Sequence, residues 1–322
     1  MIMNRVTHHF ASRSWFMVIV VQLLFAGCAT QPRQTPDLII HDAHGGGKGL
    51  AISPDSSKLV SAGWNGRIRI WSLPGGEGGY GWQAHRGEVT TLVFLDVDRL
   101  LSAGYDGGLT EWTAGGERIR SVDTGSPVLA MAVDRPRHRV LTGHKDGSVR
   151  LWSLPALKLV KTLGLHKGSI RAVAYAPAGD RFASAGTKGQ VKIWNGDGRV
   201  ENLPPPGSDA RTLVFTSDGR YLFGAGWFDL YRWDLDRQEL TTLDTDHRGI
   251  INSIVFDSTE TYLASISRIT DSSVLMLDPQ NGETVKRFQS HKLCGGSIAM
   301  APNGRIMATT ADDASVMIWM LE

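Results

Sequence analysis

LLSAGYDGGLTEW, residues 100–112, holds a strand, a tight turn and a second strand within thirteen positions. Leu100-Leu101 opens apolar and Ser102 places a small hydroxyl mid-strand. Gly104-Tyr105-Asp106-Gly107 has the glycine and acid composition of a turn that needs positive φ, and Trp112 closes the second strand. The unit recurs along the chain. Trp71, Trp112, Trp152, Trp194, Trp233 and Trp319 stand 41, 40, 42, 39 and 86 residues apart, and Leu277 divides the last interval into 44 and 42. Four short strands and their turns consume about 40 to 45 residues, so this period predicts seven blades of a propeller.

Each copy supports that reading in the same way. Arg67-Ile68-Arg69-Ile70, Ser148-Val149-Arg150-Leu151 and Gln190-Val191-Lys192-Ile193 alternate polar and apolar residues at the period of a half-buried strand. A small hydroxyl stands ten residues before the Trp in five of the seven copies: Ser61, Ser102, Thr142, Ser184 and Thr309. No helical periodicity of useful length interrupts the series. The expected fold is all-β, a single seven-bladed β-propeller.

On these residues the chain resembles the WD40-repeat family, over roughly residues 37–322. The resemblance implies a buried network in each blade: a His before the innermost strand, a Ser or Thr on the second strand, an Asp in the next hairpin and the Trp on the third. Polar groups tolerate burial only when mutually satisfied, which keeps such residue types together. Two copies carry the full set, His85, Ser102, Asp106 and Trp112, and His291, Thr309, Asp313 and Trp319. The first has His44, Ser61 and Trp71 with Asn65 in place of the acid. The others depart further: the third lacks the His, the fourth has Lys188 at the acid position, the fifth keeps little beyond Trp233, and the sixth has Leu277 in place of Trp.

The two ends of the repeat array are complementary. The chain stops three residues after Trp319, which leaves the seventh copy without an outermost strand, and Leu38-Ile39-Ile40-His41 stands before His44 as Val160-Lys161-Thr162-Leu163 stands before His166. An N-terminal strand is therefore expected to complete the last blade and close the ring. Two stretches break the rhythm, the glycine-rich residues 75–81 and Pro204-Pro205-Pro206, and both are expected as loops between blades.

Residues 1–27 have the layout of a leader: Arg5 and Arg13, an apolar core from Trp15 to Phe25, then Ala26-Gly27 before Cys28. Leu24-Phe25-Ala26-Gly27-Cys28 looks like the lipobox of bacterial lipoproteins. That resemblance implies acylation of Cys28 with palmitate-class chains and a lipid-anchored linker over residues 28–36. With Ala29 after the Cys, the implied location is the outer membrane of a bacterial envelope, facing the periplasm. A soluble secreted chain whose leader happens to end near a Cys is the alternative.

Charge and chemistry narrow the function. The 34 basic and 32 acidic residues become 32 of each once Arg5 and Arg13 leave with the leader, so the basic excess that drives nucleic-acid binding is missing. Cys294 has no remaining partner for a disulfide. Five of the ten histidines, His44, His85, His166, His247 and His291, occupy the repeat's structural position, and His41, His138 and His144 are too scattered to suggest a metal site. No nucleophile elbow, paired-carboxylate motif or phosphate-binding glycine loop is present. Neither a metal nor another cofactor is expected, and no catalytic residue is assigned.

Two rings of positions are better candidates. The hairpin residue ahead of the network acid reads Trp64, Tyr105, Lys145, Thr187, Gly226, Thr270 and Asp312, with Trp227 one step along. The innermost strands begin with Lys48, Thr90, Leu129, Arg171, Arg211, Asn252 and Gly296. In the resembled family such rings hold partner peptides, which implies a partner-binding face of Trp64, Tyr105, Lys145, Arg171, Arg211, Trp227 and Asn252. Aromatic residues and Arg are enriched at interaction hot spots. The expected function is a non-enzymatic scaffold that presents this face to envelope or exported proteins. The alternatives are a secreted propeller enzyme of lactonase or dehydrogenase type, or a sensor of small ligands.

Overall fold

A computed structural model of the protein describes residues 33–196 and 199–321. The first of the two units into which the chain divides, Met1–Gln31, lies outside the described residues, and with it Cys28 and the expected leader. The described residues form seven four-stranded antiparallel sheets. Blades 1 to 6 occupy residues 49–83, 89–123, 128–165, 170–202, 212–244 and 250–288 in simple up-and-down order, and blade 7 combines residues 295–320 with the strand Leu38–Ile40.

The closing strand pairs antiparallel with the strand Val316–Met320, in register Leu38↔Ile318, Ile39↔Met317 and Ile40↔Val316. Its approach is held as well. The Asp37 amide donates to Ile318 O at 2.9 Å, and the Asp37 carboxylate accepts the Met320 amide at 2.7 Å. The segment reaches one blade further than the repeat pattern implies, because Gln34 bridges to Phe288 on the outer strand of blade 6.

The core is a belt of seven apolar clusters, one at each contact between neighbouring blades. Between blades 1 and 2, Val60, Ala62 and Ile68 meet Val89, Phe94, Leu100 and Trp112. Between blades 7 and 1, Ile40, Val316 and Ile318 meet Leu50, Leu59 and Trp71. Alternation at period two supplies both neighbours of each sheet at once, so closing the ring buries the last apolar faces as well as pairing the last strand edge.

One expectation needs correction here. Residues 75–81 are not wholly a loop, since Gly78–Gln83 is the outermost strand of blade 1. Glycine is there for close approach: a Cβ on Gly79 would lie 2.5 Å from the Trp71 ring, and one on Gly81 would lie 2.6 Å from Arg69. Composition reads such a stretch as linker, whereas packing makes it a strand. The other expected loop, at Pro204–Pro206, is a loop, and the carbonyl of Pro204 accepts the Trp233 indole N–H at 2.9 Å.

Candidate partner-binding face

Blade 2 contains the complete network. His85 Nε2 lies 2.7 Å from Ser102 Oγ, which also accepts the Trp112 indole N–H at 2.8 Å, and His85 Nδ1 lies 2.9 Å from Asp106. Asp106 in turn accepts the amides of Arg86 and Gly108, both at 3.0 Å. Burial alone would raise its pKa, but these hydrogen bonds and His85 outweigh burial and hold the carboxyl below the ordinary range. Gly107, at φ 82°, supplies the left-handed residue of the turn. The network thus ties the loop before the innermost strand to the hairpin between the second and third strands, and both lie on one face of the disc.

The other blades differ from the expected pattern in instructive ways. In blade 7, His291 Nε2 lies 2.7 Å from Thr309 and Asp313 accepts the Lys292 amide at 2.9 Å, but Trp319 does not join this set. Its single N–H is directed instead to Gln34 O in the closing segment, at 3.3 Å. In blade 3, the missing His is replaced from an unexpected place: fully buried His144 lies 2.8 Å from Thr142, which accepts the Trp152 N–H. Blade 4 keeps His166, Ser184 and Trp194, and Gln190 takes over one part of the acid's role by accepting the Lys167 amide at 3.0 Å, while His166 Nδ1 has no hydrogen-bond partner among the described residues.

Blade 6 is not degraded apart from its Trp. His247 lies 2.8 Å from Ser265 and 2.7 Å from Ser273, while Asp271 accepts the Arg248 amide at 3.1 Å. Ser265 stands twelve residues before Leu277, because the hairpin is two residues longer than in the other blades. In blade 1, buried His44 faces the backbone of Gly46 and Ser315 rather than the network hydroxyl, and Ser61 donates to Ala43 O while accepting the Trp71 indole N–H at 3.2 Å.

On the face organised by these networks the hairpin tips present Trp64, Tyr105 and Trp227, which are 51%, 44% and 43% exposed. Lys145 places its ammonium 4.8 Å from the Tyr105 ring centroid, in cation–π range. Three further exposed apolar residues share this face and went unnoticed in the sequence: Phe228, packed against Trp227 at 5.5 Å, Ile269 and Leu293. Phe228 and Ile269 hold φ of 66° and 85°, a left-handed conformation that is rare for bulky and β-branched residues. The remaining large exposed apolar residues all lie on outermost strands, and among the described residues none lies on the loops of the opposite face.

The seven inner-strand positions line one central channel. In five blades the pairing of the innermost strand slips there, at Thr90, Leu129, Arg171, Asn252 and the Gly296-Ser297 step. A bulge leaves the extra residue outside the ladder and re-aims its side chain, which explains why a polar or cationic residue can enter the channel from a strand otherwise packed on apolar neighbours. The Asn252 amide donates across to Gly296 O.

Among the described residues no group of three or more His, Cys, Asp or Glu could hold a metal ion. Cys294 is a half-buried free thiol immediately before the innermost strand of blade 7. No helix among the described residues is long and apolar enough to cross a membrane.

Comparison with known proteins agrees with the blade pattern. The family profile described as WD domain, G-beta repeat, matches residues 38–72, 116–153, 157–195 and 282–320. Relatives include Protein hir1 of Schizosaccharomyces pombe, 25% identical over 56% of this chain and 18% of its own length. The Ribosome biogenesis protein WDR12 homolog of Chlamydomonas reinhardtii is 26% identical over 56% of this chain and 39% of its own. Striatin-4 of Mus musculus is 24% identical over 61% and 29%. The chain spans well under half the length of each of these relatives. They overturn one expectation: the location in a bacterial outer membrane facing the periplasm is not supported by relatives that are eukaryotic proteins, one of them named for ribosome biogenesis.

Proposed function

The chain is a seven-bladed propeller carrying WD40 repeats, and from that premise we propose that it is a non-enzymatic scaffold, holding partner proteins on the face that bears the network hairpins. One observation carries the choice of face. Apart from residues on the outermost strands, every exposed large apolar side chain among the described residues stands on those hairpins and the loops beside them. Isolated exposed apolar residues need no explanation, but aromatic and aliphatic side chains gathered on one face beside a polar channel have the composition of an interface core. WD40 propellers bind other proteins, which supports the same reading.

The partner-binding set is Trp64, Tyr105, Lys145, Arg171, Arg211, Trp227 and Asn252, enlarged by Phe228, Ile269 and Leu293. A Trp64→Ala/Arg171→Ala double variant removes one aromatic and one cationic contact, each worth about 1–2 kcal/mol at an interface hot spot. Quantitative capture of bound proteins by the tagged chain in its own cells should fall at least about tenfold. A Glu117→Ala variant on the opposite face should capture as the parent does. Undiminished capture by the double variant would remove the face assignment.

We also propose that residues 1–27 are cleaved as a leader and that Cys28 becomes acylated, a reading supported by the order of basic residues, apolar core, small residues and Cys. The mass of the mature chain checks it. A chain beginning at Cys28 and heavier than its residues by acyl groups is expected, and an unmodified Met1 terminus would end the proposal.

A further inference from the structure

Four cations converge where the channel opens on the hairpin face: Lys48, Arg171, Arg211 and Arg268. Only Arg268 has an acidic partner in contact, Asp312 at 3.3 Å. Among the described residues, Lys48, Arg171 and Arg211 form no ion pair and no side-chain hydrogen bond, and the Nε of Arg171 is buried without a partner. The acids that face them are few. Glu88 and Asp312 lie near Lys48 and Asp209 near Arg211, but Asp312 is paired with Arg268 and Asp209 spends one carboxylate oxygen on the Gly189 amide at 3.2 Å.

Such an arrangement is unfavourable for the protein alone. Burial, then repulsion from Arg268, Arg171 and Arg211, pushes Lys48 below the ordinary lysine value against the pull of Glu88, and Arg211 is lowered by burial and the same neighbours. Like charges held together with too few counter-ions in contact cost stability in a half-buried site, and an anion that enters recovers it. Three of these cations owe their position to local backbone features: Arg171 is a bulge residue, and Lys48 and Arg211 each directly precede an innermost strand.

We propose that this mouth receives an acidic segment of a partner protein, whose carboxylate side chains enter between Lys48, Arg171 and Arg211 while its flanking residues lie on Trp64, Tyr105 and Trp227. The proposal rests on the partner-binding reading of this face and specifies the chemistry of the partner. A protein segment fits better than nucleic acid. The chain as a whole has nearly balanced charge, 34 basic against 32 acidic residues, and the cations are confined to one opening rather than spread as a track for a phosphate backbone. Guanidinium groups also bind carboxylates through paired hydrogen bonds in a fixed planar geometry.

The test uses a fluorescein-labelled tetraglutamate peptide as probe, with tetraglutamine as the neutral control, read by fluorescence anisotropy. Tetraglutamate should bind, tetraglutamine should not, and binding should weaken as salt rises from about 0.05 M to about 0.3 M, where screening shortens. Arg171→Gln/Arg211→Gln should weaken binding at least about tenfold, roughly one lost charge-assisted contact. Asp312→Asn frees Arg268 and should tighten binding, an outcome that misfolding cannot imitate. Equal binding of both peptides, no effect of the double variant, or displacement of tetraglutamate by an equally charged oligodeoxythymidylate at the same concentration would each overturn the assignment. Trp64→Ala should leave tetraglutamate affinity nearly unchanged while reducing protein capture. Failure of the peptide arm alone therefore sinks the acidic-segment proposal and leaves the scaffold reading standing.

Discussion

Ile40→Asp should unfold the propeller at a markedly lower temperature and denaturant concentration than the parent. Ile40 is 8% exposed, pairs with Val316 and lies in the cluster where blade 7 meets blade 1. The substitution both removes apolar packing and buries a carboxylate with no partner cation nearby in that cluster, for a loss of about 3–5 kcal/mol. For a domain of this size that is a fall of roughly 10 °C in Tm. The effect exceeds that of one ordinary core substitution because the strand also closes the ring. Val160→Asp on the outer strand of blade 3, where Val160 is well exposed, is the control and should change stability by less than about 0.5 kcal/mol. Thermal and urea unfolding check both; an Ile40→Asp midpoint equal to that of Val160→Asp would mean that the strand decorates the ring without closing it.

Stability should also fall steeply on mild acidification. Burial holds His44, His144 and His166 at pKa values of about 4, against an ordinary value of 6.5. These rings stay neutral in the folded protein between the two values, while the unfolded chain binds protons there. Their contribution is therefore complete above about pH 6.5 and is lost progressively as pH drops toward 4. Asp106, Asp146, Asp271 and Asp313 are held low by hydrogen bonds that outweigh burial, so their contribution persists through this window and is lost only below the ordinary carboxylate range. Three uncompensated protons set a ceiling of roughly 4 kcal/mol per pH unit near pH 5, lowered by residual solvent around His166. Urea unfolding at pH 7, 6, 5 and 4.5 should show the loss, and His144→Gln, which cannot take up the proton, should flatten the slope. A curve level from pH 7 to 4.5 would contradict neutral buried histidines.

The repeat was legible because Trp, the hairpin and the mid-strand hydroxyl are fixed by local backbone geometry, so their spacing survives in one dimension. The blade count follows from that spacing, and the closing role of Leu38–Ile40 from the place of that apolar stretch before His44. Other features depend on contacts that spacing does not encode. His144 stands in for the loop His from two residues beyond Thr142 on the same strand, a place outside the repeat's own His position. Ser265 escaped a ten-residue count because its hairpin carries two more residues. Trp319 has the right spacing but a different acceptor, since the closing segment supplies Gln34 O.

The face itself was partly legible. Trp64, Tyr105 and Trp227 stand out as aromatics in glycine-rich turns, and the inner-strand positions could be counted from the repeat. The bulges that direct Arg171 and Asn252 into the channel leave no mark in composition. Phe228 and Ile269 were hidden because a left-handed residue is expected to be Gly or Asn, as Gly107 is in blade 2. The signal that could have found them is the absence of glycine at turn positions that require positive φ.

The most direct measurement places a photo-crosslinking amino acid at position 105 on the hairpin face, and separately at position 117 on the opposite face and position 160 on the outer strand, in otherwise unaltered protein in its own cells. Irradiation should join partner proteins to the chain from position 105 and give few adducts from 117 or 160. Adducts concentrated at 117 or 160, with none at 105, would contradict a partner-binding hairpin face.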